Sequence, residues 1–148
     1  VTDWDRFAAQ LAEQLSVLPA GAMVKVVASS PPYRFAQFAQ GDAYLLAELT
    51  GDEYLPPTDR PAEDRRRRII DAGWQVPDLD HGGNWWIEVP WPVASAIYRQ
   101  LAAMVVTGLR DGLAVGSPAG LCYEAWNAQA SNELMDLPLL GLYRIDSR

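Results

Sequence analysis

The alternation of apolar and polar positions divides the chain into a helix, three strands, a short charged helix, a strand, a long helix and a further strand. Trp4, Phe7, Ala8, Leu11 and Leu15 recur at spacings of three and four, which predicts an amphipathic helix over residues 3–16. Thr2 precedes it with Asp3 and Asp5 in the first turn, a capping box in which Asp5 stands for the usual Glu. Two acids there also suit the positive end of the helix dipole. Pro19-Ala20-Gly21 ends it. Residues 23–28, 33–39 and 43–50 read as strands, separated by Ser29-Ser30-Pro31-Pro32 and Gln40-Gly41-Asp42. Turns this short imply an antiparallel meander, because parallel neighbours need long crossovers.

Residues 51–61 carry Pro56, Pro57 and Pro61 and read as an irregular connection. Residues 62–72 form a short charged helix with Ile69 and Ile70 inward and Gly73 as its stop. Asp78 to Gly83 is a turn cluster. A strand over 85–89 stops at Pro90, which cannot donate to a ladder, and Pro92 suits the first turn of the next helix. Along that helix Ala94, Ile97, Leu101, Met104, Val105 and Leu109 form an apolar stripe, and Gly112 is its stop. Residues 121–126 form a fifth strand, and residues 134–145 a leucine-rich segment broken by Pro138 and Gly141. The expectation is an α+β fold in a single domain over residues 1–148. One antiparallel sheet carries helices packed on one face, in the order α-β-β-β-α(short)-β-α-β.

Charge sets the phase of the meander. With Lys25, Arg34 and Glu48 facing water, strict alternation puts Met23, Val27, Ala36, Phe38, Tyr44 and Leu46 on the same outer face. Val24, Val26, Phe35, Leu45, Ala47 and Leu49 then point at the helices. So much apolar surface outside marks an interaction site, unless the C-terminal leucine segment covers it, and the pattern leaves both outcomes open. Adjacent Trp85 and Trp86 must point to opposite faces, so one of them is a candidate for partial exposure. Trp4, Trp74 and Trp85 are expected in the core.

Composition narrows the function. The 148-residue chain is 49% hydrophobic, which excludes a disordered chain. A net charge of −7 argues against nucleic acid, since phosphate backbones need clustered cations. The basic run Arg65–Arg68 is flanked by Glu63, Asp64 and Asp71 and reads as a solvated helix face paired with its neighbours, with a phosphate or anionic-lipid site as the minority reading. A single cysteine, Cys122, excludes an internal disulfide and a cysteine-based structural zinc site. No apolar stretch approaches the roughly 20 residues that span a bilayer, and no signal-type segment is evident, so a cytoplasmic protein without membrane contact is expected. Arginine outnumbers lysine eleven to one, a habit of GC-rich bacterial genomes.

Catalytic groups are sparse. His81, the one histidine, lies on a Gly-rich turn with Asp78 and Asp80, and a hydrolase built on these residues is the least favoured reading, because no Gly-x-Ser-x-Gly elbow accompanies them. Asp78, Asp80 and His81 lack the downstream Glu of a calcium loop. Cys122 sits in an apolar strand and reads as core. Gly82-Gly83 lacks the Lys-Ser/Thr of a phosphate loop. No catalytic residue, metal or cofactor is assigned, and the protein is not expected to be an enzyme.

Four short motifs carry a resemblance: Trp4-Asp5-Arg6-Phe7, Gly73-Trp74-Gln75-Val76-Pro77, Gly83-Asn84-Trp85, and Leu109-Arg110-Asp111-Gly112. In their order and spacing the chain resembles type III secretion chaperones and YbjN-type proteins, and in particular an actinobacterial family of YbjN/type III-chaperone-like peptide-binding chaperones. The resemblance covers residue 4 to about 115 and implies a homodimer that holds a protein or peptide client. The surface expected to hold it is Met23, Val27, Phe38, Tyr44, Leu46 and Trp86, with edge-strand pairing as one route to affinity. The alternative is a self-associating structural or regulatory domain with no client.

Overall fold

The computed structural model describes residues 2–146. Its strands are β1 (Ala22–Ala28), β2 (Phe35–Gln40), β3 (Tyr44–Leu49), β4 (Trp85–Pro90), β5 (Leu121–Asn127), β6 (Glu133–Leu134) and β7 (Tyr143–Arg144). Its α-helices are α1 (Asp3–Ser16), α2 (Glu63–Ala72) and α3 (Ser95–Val106), the last running on as a π turn over Thr107–Gly112. The strands form one sheet in the order β4-β3-β2-β1-β5-β6, with β7 beside β5. Pairing is antiparallel except where β7 meets β5 at Cys122–Tyr143 and Tyr123–Arg144. The α+β architecture with helices on one face is the one the apolar pattern predicts. The two short C-terminal strands are additions to it.

The helix layer is held by packing and by specific caps. At the start of α1 the Asp5 amide donates to Thr2 Oγ1 (3.0 Å) and the Thr2 amide to Asp5 Oδ2 (3.1 Å), which completes the capping box. Trp4 and Phe7 meet edge to face at 5.8 Å. The core joins Leu11 and Leu15 of α1, Leu101, Val105 and Leu109 of the α3 region, and Val24, Val26, Phe38, Leu45 and Leu49 of the sheet. Helix α3 begins at Ser95, not at Pro92, because the Trp91 amide still donates to Ala43 O (3.0 Å) and keeps the chain along β3. On α2 only Ile69 is buried; Ile70 is 37% exposed, since the helix rests one narrow face against the π turn.

The resemblance motifs prove to be joints of this scaffold. Gly73 closes α2 with φ at +119°, a left-handed value that favours glycine, and the Trp74 indole N–H donates to Met104 O (3.0 Å). Asn84 is buried and its Oδ1 accepts from the Gly51 amide (3.0 Å). Within the π turn the Leu113 amide reaches Gly108 O (2.9 Å), the i to i−5 bond of a widened turn. A β-carbon on Gly108 would come within 2.6 Å of Leu49, and one on Gly112 within 2.6 Å of Ile69. These two glycines therefore let the turn settle directly on β3 and α2.

The C-terminal leucines decide the question that the sequence leaves open. Leu137 and Leu140 are buried in the core that contains α1, and the Leu139 amide donates to Gln14 Oε1 (3.1 Å) on α1. The segment thus joins the helix layer. Its two ends reach the outer face: Leu134 lies beside Trp126, Tyr143 beside Cys122, and Ile145 packs on Val27, Phe35 and Cys122.

Candidate functional site

The register places the outer face residue by residue. Met23, Lys25 and Val27 of β1 lie opposite Ala39, Gln37 and Phe35 of β2, and opposite Trp126, Glu124 and Cys122 of β5. Ala39 and Gln37 meet Leu46 and Glu48 of β3, which meet Glu88 and Trp86 of β4; Tyr44 completes the row beside Pro90. Side chains on one face of adjacent strands form a continuous surface. Its centre is a shallow groove of ≈180 Å³ lined by Met23, Lys25, Gln37, Ala39, Leu46 and Trp126, among others.

Four of the six expected surface residues come together here. Tyr44 is exposed, and Met23, Leu46 and Trp86 are partly so. Phe38 is a correction: it is 2% exposed and lies on the helix-covered face, opposite Val24 and Ala47. Ala36 follows it inward, and Phe35 turns outward. The cause is Arg34. Its side chain points to the helix side, where Nη1 donates to Leu113 O (3.3 Å) and Ala114 O (3.1 Å) beyond the π turn and Nη2 to Ser30 O (3.4 Å). A cation that satisfies helix-end carbonyls is no marker of the solvent face, and reading it as one slips β2 by one residue. Val27 is a second correction. It belongs to the outer face, yet Ile145, Phe35 and Cys122 bury it to 5%.

Trp126, Gln37, Ala39 and Glu88 were missed. Alternation along β5 carries the signal for Trp126, since Glu124 and Trp126 share a face. Cys122 is buried as expected, and burial, with Glu124 nearby, pushes its thiol pKa up.

One end of the surface is arranged around Trp86. The His81 ring stacks on its indole at 3.8 Å with 9° between the planes. His81 Nδ1 lies 2.7 Å from Asp78 Oδ1 and Nε2 lies 3.6 Å from Glu88 Oε1. Asp78 Oδ1 also accepts from the His81 amide (2.9 Å), which fixes the turn. Burial lowers the imidazole pKa, but the Asp78, Glu88 and Glu48 carboxylates outweigh it and raise it above its ordinary value. The hydrogen bond from His81 holds the Asp78 carboxyl below the usual range. His81 is thus placed to stack and to pair with carboxylates. Among the described residues no group of three or more His, Cys, Asp or Glu is placed to hold a metal ion.

Both sheet edges are occupied in part. The Trp86 amide and carbonyl on β4 bond Gln75 (3.3 and 2.9 Å), and Pro90 has no N–H to offer. On β5 the Tyr123 carbonyl accepts from Ile145 (2.7 Å) and the Ala125 carbonyl from Met135 (2.9 Å), with β6 and β7 along the rest. Among the described residues, the Glu88 amide and carbonyl and the Pro90 carbonyl on β4 stay without a main-chain partner, so strand addition there has a short stretch to use. Among the described residues, no helix is long and apolar enough to cross a membrane.

The family model described as T3SS (YopN, CesT) and YbjN peptide-binding chaperone 3 matches residues 1–127, from before α1 to the end of β5. No curated protein and no solved structure matches the chain. The leucine segment that packs on α1 lies beyond the matched region. The match spans most of the chain and takes in the helix layer, the meander and the strand that bears Trp86, and on it the chain belongs to the T3SS and YbjN peptide-binding chaperone 3 family.

Proposed function

We propose that the protein is a non-enzymatic cytoplasmic chaperone that holds a protein or peptide client against the outer face of its sheet, through Met23, Tyr44, Leu46 and Trp86. The observation that carries this reading is the uncovered apolar surface on a scaffold whose other face is fully packed. Rigid aromatic groups on the outer face supply apolar contact area at little conformational cost. Two protomers form the working unit, since a symmetric dimer is the commonest closed assembly.

The test is suppression of aggregation of a chemically unfolded protein. Wild type should suppress it, and Leu46→Glu should not, while its melting temperature stays near that of wild type. Light scattering of wild type should give about twice 16.3 kDa. If Leu46→Glu becomes monomeric and wild type suppresses no aggregation, the face serves self-association alone and the client reading fails.

A further inference from the structure

Away from the outer face, three arginines from three segments meet at one cavity of ≈430 Å³. Arg34 enters from the connection between β1 and β2, Arg60 from the loop before α2, and Arg65 from α2 itself. Asp59, Pro61 and Leu113 are among the remaining walls. Each guanidinium is fixed through one side by neutral main-chain carbonyls. Arg34 takes Ser30, Leu113 and Ala114; Arg60 Nε takes Asp52 (3.0 Å) and Leu55 (3.3 Å); Arg65 Nη1 takes Asp111 (3.3 Å). Carbonyls orient a guanidinium without cancelling its charge. Arg6, Arg66, Arg110 and Arg144 each pair with an aspartate instead. Among the described residues none of the three cavity arginines makes such an ion pair, although the chain as a whole carries −7. Arg34 Nε is also buried with no protein acceptor, a costly arrangement for a charged donor.

We propose that this cavity binds a phosphate-type oxyanion carried on a small molecule. Guanidinium forks match the oxygens of phosphate, and forks already immobilised lose little freedom on binding. The volume falls within the range of small-molecule sites and exceeds that of a bare ion, and Pro61 and Leu113 offer apolar contact to the rest of an ester. Asp59, which accepts from the Tyr33 hydroxyl, is the one carboxylate on the wall and opposes the anion. The assignment is independent of the client surface.

Titration of the full chain with phenyl phosphate tests it, read by the Arg34 Nε–H resonance and by melting temperature against sodium chloride of equal ionic strength. A saturable shift of that resonance is expected, with a rise of about 4 °C at tenfold excess over Kd. Arg65→Gln should weaken binding about tenfold, as loss of a charge-assisted hydrogen bond does. Asp59→Asn should tighten it, a gain that no structural damage would mimic. Inorganic phosphate binding as well as the ester would support the site and assign it to the free anion; weaker binding would support it and assign it to an ester. No effect beyond that of sodium chloride, or equal binding by Arg65→Gln, would overturn the proposal.

Discussion

Leu45 and Leu46 are neighbours on β3 with the same side chain, yet they live in different environments. Leu45 is 1% exposed beneath the helices; Leu46 stands partly open between Ala39 and Glu88 on the outer face. The same contrast runs along β1, where Val24 and Val26 are buried while Met23 and Lys25 beside them are not. Apolarity alone therefore does not tell core from surface here. What separates the faces is that α1 and α3 cover one of them, and Leu137 and Leu140 add to that same side.

Truncation of the two leucines is the strongest way to break this comparison. Leu45→Ala should cost about 3 kcal/mol, the lost transfer energy plus the cavity left in a packed layer. Leu46→Ala should cost less than about 1 kcal/mol, because its cavity opens to solvent and refills with water. Chemical denaturation with both variants measures the difference. Equal losses would mean that the outer face is covered in solution, either by a second protomer or by a segment of this chain.

The two faces also differ in how far the sequence reveals them. The helix-side scaffold was readable in detail: the Thr2–Asp5 cap, the Gly73 stop, and Trp4, Trp74 and Trp85 in the core. Each rests on local chemistry or on a period that a single segment displays. The resemblance motifs belong to the same layer, so they identify the scaffold and not the outer face. The outer face depends on phase, which is a property between strands. Arg34 carried the wrong phase for β2 because its partners, Leu113 and Ala114, lie some eighty residues away, and so Phe38 was placed outside. Burial of Val27 by Ile145 is another contact at long range. The stack of His81 on Trp86 needs the turn over 78–83 to fold back on β4, and no periodicity encodes that.

A smaller effect sharpens the packed side. Gly108 and Gly112 press on the side chains of Leu49 and Ile69, both wholly buried. Gly112→Ala should cost about 2 kcal/mol from overpacking, less whatever alanine regains through helix propensity. A β-carbon on Gly120 would meet nothing within 4 Å, so Gly120→Ala serves as the control and should melt with wild type. A neutral Gly112→Ala would show that the π turn can relax without loss.

The smallest expected effect sits on the open side, at His81. Burial acts to lower its pKa, but the Asp78 carboxylate, with Glu88 and Glu48, raises it above the ordinary 6.5. The folded state therefore holds the proton more tightly than the unfolded chain. The stabilisation is present in full below pH 6.5 and is lost as pH rises through the folded value. Both carboxylate partners are well exposed, so screening keeps the step in melting temperature to about 2 °C or less. Emission from Trp86 offers a second readout, because a cationic imidazole stacked on indole quenches it and a neutral one quenches it less. His81→Phe keeps a flat ring over Trp86 and removes the proton, so it should retain the stack and abolish both pH steps. Asp78→Asn should move the steps to lower pH, since it removes the charge that most raises the imidazole. A pH step that persists in His81→Phe would have to come from another group, and the turn would then be held by packing and the Asp78–His81 main-chain bond alone.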